Sequence, residues 1–99
     1  MNIQYRESFI KEITDIWDFI AQDSSNRATN FLNEIEQKIQ TIPSLPYMYR
    51  KSIYFDDENI RDMIHKGYVV VYKIDAAHDS IIILGINKYK QTIEELTAK

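Results

Sequence analysis

Apolar residues recur at helical spacing in two stretches of the N-terminal half. Between Glu7 and Gln22, steps of three and four residues separate the apolar side chains, which are Phe9, Ile10, Ile13, Ile16, Trp17 and Ile20. The second stretch has Ala28, Phe31, Leu32, Ile35, Ile39 and Ile42 at the same spacing, and Pro43 ends it. Such spacing collects apolar side chains on one face of a helix. Between the two stretches, "DSSN" (23–26) supplies side chains that favour helix N-caps, so the sequence predicts an αα-hairpin.

After Pro43 the pattern becomes that of strands and turns. A loop over 43–51 leads into a predicted strand, and the acidic run "DDEN" (56–59) is typical of a turn. Lys66 and Gly67 indicate a tight turn, because glycine accepts positive φ without steric cost. The predicted strands are "IQYR" (3–6), "RKSIYF" (50–55), "IRDMI" (60–64), "YVVVYKID" (68–75) and "SIIILGINK" (80–88).

Helices followed by consecutive strands are typical of an α+β domain. We expect one domain over residues 1–99, with an N-terminal edge strand and the helical hairpin on one face of a mainly antiparallel sheet. The closing segment "QTIEELTAK" (91–99) is compatible with a short helix or with a tail that rearranges when a partner binds.

Alternation along the strands assigns side chains to the two faces of this sheet. It places Tyr68, Val70, Tyr72 and Ile74 towards the helices, and it leaves four apolar side chains on the opposite face: Val69, Val71, Ile81 and Ile83. These four residues are explained by a covering C-terminal helix, by the ordinary preference of central strands for β-branched residues, or by a docked partner.

Charge and composition narrow the class of protein. The net charge is −3, and the acidic excess lies in residues 1–42, so no strongly basic nucleic-acid surface is expected. Cysteine is absent, which excludes disulfides and thiolate chemistry. No apolar run approaches the roughly 20 residues of a membrane span, and the N-terminus lacks the apolar core of a signal peptide. We expect a cytoplasmic protein without membrane contact.

Common catalytic and metal motifs are missing. His65 and His78 do not form a ligand pair, and "DDEN" lacks the glycine and distal glutamate of a calcium loop. With two glycines, the chain holds no phosphate-binding loop. We expect neither a metal nor a cofactor.

Acid–base chemistry on RNA remains open, because it requires cations and a proton carrier around a phosphate. The clusters "YMYRK" (47–51) and "NKYKQ" (87–91) interleave aromatic and cationic side chains, as nucleic-acid binders do. His65 and the tyrosines are equally compatible with ordinary sheet positions.

The order of these elements resembles the RelE/ParE superfamily of toxins from bacterial type II toxin–antitoxin systems. The likeness extends from about Tyr5 to Gln91. It is based on four features: "FIAQD" (19–23) with Ala28 and Phe31; Arg61 before the central hairpin; the strand residues Tyr68, Val70 and Tyr72; and the closing strand residues Ile81, Ile83, Leu84 and Ile86.

The resemblance implies two alternative activities. RelE-like members cut mRNA in the ribosomal A site with several lysines and arginines and a late tyrosine. One of those arginines follows the first tyrosine of the central strand, where this chain has Val69. ParE-like members poison DNA gyrase and have no catalytic constellation of their own. The longer helical hairpin and Val69 favour the ParE-like branch, and a non-toxic member that binds only antitoxin or operator is a third alternative.

The resemblance also implies the partners and the candidate residues. A cognate antitoxin wraps the toxin, DNA is contacted only through that complex, and the target is gyrase or, alternatively, the ribosome with mRNA. The expected antitoxin contacts are Phe19, Val69, Val71, Ile81 and Ile83. The expected target contacts are Arg50, Lys51, Arg61, Lys88, Tyr89 and Lys90, and the catalytic candidates of the RNA-cutting alternative are Arg61, Lys88 and Lys90.

Overall fold

Two helices and five strands follow one another in a computed structural model that describes residues 1–88. The predicted closing segment 91–99 and the candidates Tyr89 and Lys90 lie outside the described residues. The elements are β1 (Asn2–Tyr5), α1 (Glu7–Ala21), α2 (Ser25–Thr41), β2 (Arg50–Lys51), β3 (Ile60–His65), β4 (Tyr68–Asp75) and β5 (Ser80–Lys88), with single 3-10 turns at Ile42–Ser44 and Ala76–His78.

The strands form one sheet in the order β1-β5-β4-β3-β2. β1 runs parallel to β5 at one edge, and every other neighbouring pair is antiparallel. The α+β prediction, with its N-terminal edge strand and mainly antiparallel sheet, is confirmed.

The helical hairpin packs on one face of this sheet. Ser24 begins α2 as the sequence predicts, because its Oγ accepts a hydrogen bond from the Arg27 backbone N–H at 3.2 Å. The main core lies between both helices and the strands β3, β4 and β5. Its large side chains include Phe9, Phe31, Ile35, Ile39, Met63, Tyr72 and Ile86. Among residues 1–88, no helix combines the length and the apolar character needed to cross a membrane.

A two-residue turn joins β3 to β4. Lys66 and Gly67 both have positive φ, 48° and 82°, between the paired residues His65 and Tyr68. Two positive φ values match the right-handed twist of a two-residue hairpin, and glycine adopts this conformation without steric cost. The predicted Lys-Gly turn is therefore present.

β5 contains one extra residue relative to β4. Val71 lies opposite Gly85, whereas the next residue, Tyr72, lies opposite Ile83. Leu84 is thus the additional residue of a β-bulge, which reverses the alternation of side chains along the strand.

Because of the bulge, Ile81 and Ile83 do not lie on the outer face of the sheet. Ile81 and Ile83 are fully buried in the main core beneath the helices, together with Ile86. The prediction that Ile81 and Ile83 face away from the hairpin was wrong. Alternation alone does not say which set of a strand points inwards, and it fails across a bulge.

Two side chains from α1 hold the bulge. Ser8 Oγ donates a hydrogen bond to the Leu84 carbonyl at 2.7 Å, and Glu12 Oε1 accepts one from the Ile86 backbone N–H at 3.1 Å. These residues are one helical turn apart, so they lie on the same side of α1. The backbone groups that the bulge removes from the sheet ladder are therefore satisfied by the helix.

β2 is shorter than its sequence predicts. After Lys51, the buried Ser52 accepts a hydrogen bond from the Tyr54 backbone N–H at 3.2 Å, and the Ile53 N–H donates to Asp62 Oδ2 at 3.2 Å. Side chains thus capture the backbone N–H groups of 53 and 54 and turn the chain away from β3. The β-rich residues 52–55 form a loop for this reason.

Candidate functional site

The expected antitoxin contacts fall into three different environments. Ile81 and Ile83 belong to the main core, as described above. Val69 and Val71 lie in a second small cluster with Ile60, and they are 0% and 4% exposed. Phe19 alone is exposed, at 63%. The five residues are therefore not brought together on one surface, and their role in binding an antitoxin stays a prediction.

Arg50 and Lys51, two of the expected target contacts, form ion pairs with acidic residues. Arg50 Nη2 lies 3.3 Å from Oδ2 of Asp62, whose side chain is fully buried. Lys51 Nζ lies 3.2 Å from Asp56 Oδ1 and 3.6 Å from Glu58 Oε1. The hydrogen bond to Asp56 raises the pKa of Lys51, and burial acts against it.

Arg61 has the role of a structural clamp. Its Nε donates to the Glu58 carbonyl at 2.8 Å, and its Nη1 donates to the Tyr49 carbonyl at 3.2 Å. The guanidinium also lies 4.8 Å from the centre of the Tyr47 ring. Only 14% of the side chain is exposed, so Arg61 fastens the loops on either side of β2 to β3.

Two catalytic candidates, Arg61 and Lys88, lie within residues 1–88, and they are far apart. Arg61 pairs with Tyr72, whereas Lys88 pairs with Tyr68 at the other end of β4. Four residues of strand separate these positions, or about 13 Å. Arg61 and Lys88 therefore do not converge on one phosphate.

The buried tyrosine of this region is also poorly suited to proton transfer at neutral pH. The Tyr72 hydroxyl donates a hydrogen bond to the Pro46 carbonyl at 2.6 Å. Burial raises the pKa of Tyr72 far above its ordinary value, although the nearby Arg61 acts in the opposite direction. A neutral phenol held in this way fixes the loop after α2.

His65 is held by an acidic partner on α2. Its Nε2 lies 3.0 Å from Glu34 Oε1, and Lys66 Nζ lies 2.9 Å from the same oxygen. Hydrogen bonds from Lys66 and His65 lower the pKa of Glu34. The His65 ring also lies 6.1 Å from that of Phe31. His65 thus fastens the β3–β4 turn to α2.

An apolar patch surrounds β2 at the sheet edge. Five large apolar side chains are 45–60% exposed in the loops on either side of this strand: Leu45, Tyr47, Met48, Ile53 and Phe55. Arg50 and Lys51 lie between these loops. Large apolar side chains exposed in neighbouring loops are candidates for a protein-binding surface.

A groove of about 410 Å³ opens where the α1–α2 turn approaches the β3–β4 turn. We call it the Phe19 groove, and its lining consists of Phe19, Ile20, Arg27, Asn30, Phe31, Glu34, Lys66 and Tyr68. Of this set, the sequence indicated Phe19 as an antitoxin contact, and Lys66 and Tyr68 only as general candidates for acid–base chemistry. The other residues come together through tertiary packing of two distant turns, and no local pattern signals this.

No metal centre is found in the part of the chain that the structure describes. Within residues 1–88, no three histidine, aspartate or glutamate side chains form a group that could hold an ion.

Comparisons with known proteins agree with this architecture. The sequence model described as "ParE toxin of type II toxin-antitoxin system, parDE" matches residues 3–93. No curated protein sequence matches the chain. A structure of the chromosomal ParDE system of P. aeruginosa superposes with a TM-score of 0.71 at 11% identity, covering 89% of this chain and 95% of the other. The isolated RelE toxin of E. coli gives a TM-score of 0.60 at 12% identity, covering 96% and 97%.

Proposed function

Because the chain belongs to the ParE toxin family of type II toxin–antitoxin systems, we propose that it stops growth by binding DNA gyrase in the cytoplasm. In this proposal a cognate antitoxin neutralises the toxin, and DNA is contacted only through the toxin–antitoxin complex. The alternative is a ribosome-dependent mRNA interferase with a divergent active site.

The proposal rests on one observation: Arg50, Lys51 and Arg61 are bound to other groups of the protein. RNA cleavage needs positive groups directed at a phosphate as charge develops on it. Here the Arg61 guanidinium donates to backbone carbonyls, and Arg50 and Lys51 lie against carboxylates. Val69, which stands where RNA-cutting relatives carry an arginine, is fully buried. Binding a protein target does not require cations directed at a phosphate.

The apolar patch around β2 is the surface that we assign to the target. It combines the exposed Leu45, Met48 and Phe55 with the neighbouring Arg50 and Lys51. Apolar anchors with a charged rim are the usual composition of a protein interface. Of the other predicted target contacts, Lys88 lies on β5 against Phe19 and is not part of this patch, and Tyr89 and Lys90 lie outside the described residues.

The test is expression of the chain without antitoxin, followed by two assays on the same cells. Gyrase-linked DNA breaks with intact mRNA are the expected result. Codon-phased mRNA cuts with intact DNA would establish the interferase instead, and normal growth would identify a non-toxic member.

A matched pair of variants tests the assigned surface. Met48→Glu places a charge in the patch, so it should abolish inhibition of gyrase supercoiling in vitro. Ile10→Glu changes a similarly exposed apolar residue on α1 and should leave inhibition intact. Equal inhibition by both variants would remove the patch from the interface.

A further inference from the structure

Two adjoining cavities lie between α1 and α2, with volumes of about 220 Å³ and about 230 Å³. Ile13 and Leu32 line both of them, so the cavities form one furrow along the helical hairpin, which we call the inter-helix furrow. Among the described residues that line it, Glu36 alone carries a charge. Its walls also include Tyr5, Ile10, Thr14 and Trp17.

The apolar side chains of the furrow are open to solvent at one end. Ile10 is 50% exposed and Tyr5 is 40% exposed. From Ile10 to Trp17 the furrow follows two turns of α1, or about 10 Å. It therefore offers a small apolar molecule a surface about as long as a short hydrocarbon chain.

The open end of the furrow combines two aromatic rings with a carboxylate. The ring centres of Tyr5 and Phe9 are 5.6 Å apart. Burial and the negative charge of Glu36 raise the pKa of Tyr5, whereas a hydrogen bond with Gln40 acts in the opposite direction. Within residues 1–88 the Glu36 carboxylate forms no ion pair, so it is available to a cation.

We propose that the inter-helix furrow binds a small hydrophobic primary amine. The ammonium group donates hydrogen bonds to the Glu36 carboxylate and lies beside the Tyr5 ring. The hydrocarbon body packs against Ile13 and Leu32 and extends towards Trp17.

The charges of the furrow select an amine over other amphiphiles. A carboxylate next to aromatic rings is the combination that recognises organic cations in proteins. A fatty acid would bring its own carboxylate towards Glu36, and the two negative charges would repel each other. A polyamine would place a second ammonium group among apolar side chains such as Ile13 and Leu32, where nothing compensates its loss of hydration.

The test is a titration of the purified full chain with octylamine at neutral pH. Trp17 is the single tryptophan of the sequence and lines the furrow, so its fluorescence reports binding. We expect a saturable change with octylamine and a dissociation constant about tenfold higher for hexylamine, since two fewer methylene groups are buried. Octanoate, with a similar chain and the opposite charge, should not bind.

Two variants locate the bound amine. Glu36→Gln should raise the dissociation constant of octylamine about fivefold, which corresponds to the loss of a partly solvated ion pair. Asp15→Asn removes an exposed carboxylate of α1 outside the furrow and is the control. Thr14→Phe fills the second cavity, so it should abolish the advantage of octylamine over hexylamine. Circular dichroism verifies that each variant is folded.

Three outcomes would overturn the proposal. The first is binding of octanoate as tight as that of octylamine, or a fluorescence change that does not saturate. The second is an unchanged affinity of Glu36→Gln for octylamine. The third is a concentration-dependent dimer in sedimentation that Ile10→Lys abolishes, which would assign the furrow to a second copy of the chain. The titration involves no gyrase, so its result is independent of the target.

Discussion

Gly85 and Glu12 make one interaction that two different substitutions should destroy. An alanine Cβ at position 85 would lie 2.7 Å from Glu12 Oε1, and the three nearest atoms to it all belong to Glu12. The carboxylate would have to leave, and with it the hydrogen bond to the Ile86 backbone N–H. Gly85→Ala and Glu12→Ala therefore break the same bond by different routes.

Both variants should lower the free energy of unfolding, because the partly buried Ile86 N–H group loses its acceptor. Removing one partner of a buried hydrogen bond costs about 1–3 kcal/mol, and we expect each single variant to lose that much free energy of unfolding. Once Glu12 is alanine, nothing remains within 4.0 Å of the added Cβ. In that background Gly85→Ala should be neutral or stabilise by about 0.4–1 kcal/mol, since alanine restricts the unfolded chain.

Urea denaturation followed by circular dichroism measures these differences as midpoint shifts at constant m-value. Asp15→Ala, which removes an exposed carboxylate from the same helix, is the control and should change little. An equal cost of Gly85→Ala in the Glu12→Ala background and in the unmodified chain would refute this coupling. Additive costs would mean that the two residues act independently.

Two further predictions concern a buried hydroxyl and a turn. Burial raises the pKa of Tyr72, so the unfolded chain releases this proton first as the pH rises through about 10, and stability should fall there. Tyr72→Phe should remove part of that loss of stability at alkaline pH. At neutral pH it should cost about 0.5–1.5 kcal/mol of unfolding free energy, because the hydrogen bond to the Pro46 carbonyl is lost. An unchanged decrease of stability with alkaline pH in denaturation experiments would contradict this, and Tyr47→Phe, at an exposed tyrosine, is the comparison. Gly67→Ala, at φ 82°, should lower stability by about 1–2 kcal/mol, and a stabilised variant in the same assay would show that the turn tolerates a side chain.

The helices and most strands could be predicted because their patterns are local. The stripe from Phe9 to Ile20 and the Ser24 cap each determine structure within a few residues, and the structure agrees with both. The Lys66-Gly67 turn is equally recognisable from local sequence, since glycine favours the positive φ of 82° that Gly67 adopts there.

What could not be predicted depends on contacts between distant parts of the chain. The bulge at Leu84 exists where Ser8 and Glu12 reach β5 from α1, and neither residue type identifies that role. Residues 52–55 have strand-like composition, yet the Asp62 carboxylate bends the backbone away.

The candidate site shows the same division. Arg50, Lys51 and Arg61 lie on neighbouring strands, with Lys51 opposite Arg61, and their role in binding a target stays a prediction. Their neutralisation by Asp62, Asp56 and Glu58 is visible only in three dimensions.

The pairing of the first strand with the last has a consequence for synthesis of the toxin. β1 pairs with β5, and Ser8 and Glu12 bond to residues more than 70 positions later in the chain. Such contacts close long loops and form late, because the entropy of closure is lost before they contribute. Until β5 has been made, β1 has no strand to pair with, and Ser8 and Glu12 have no partners for these bonds. The sheet is therefore completed only after β5 has been made, and a partner that recognises the complete sheet can bind only from that point on.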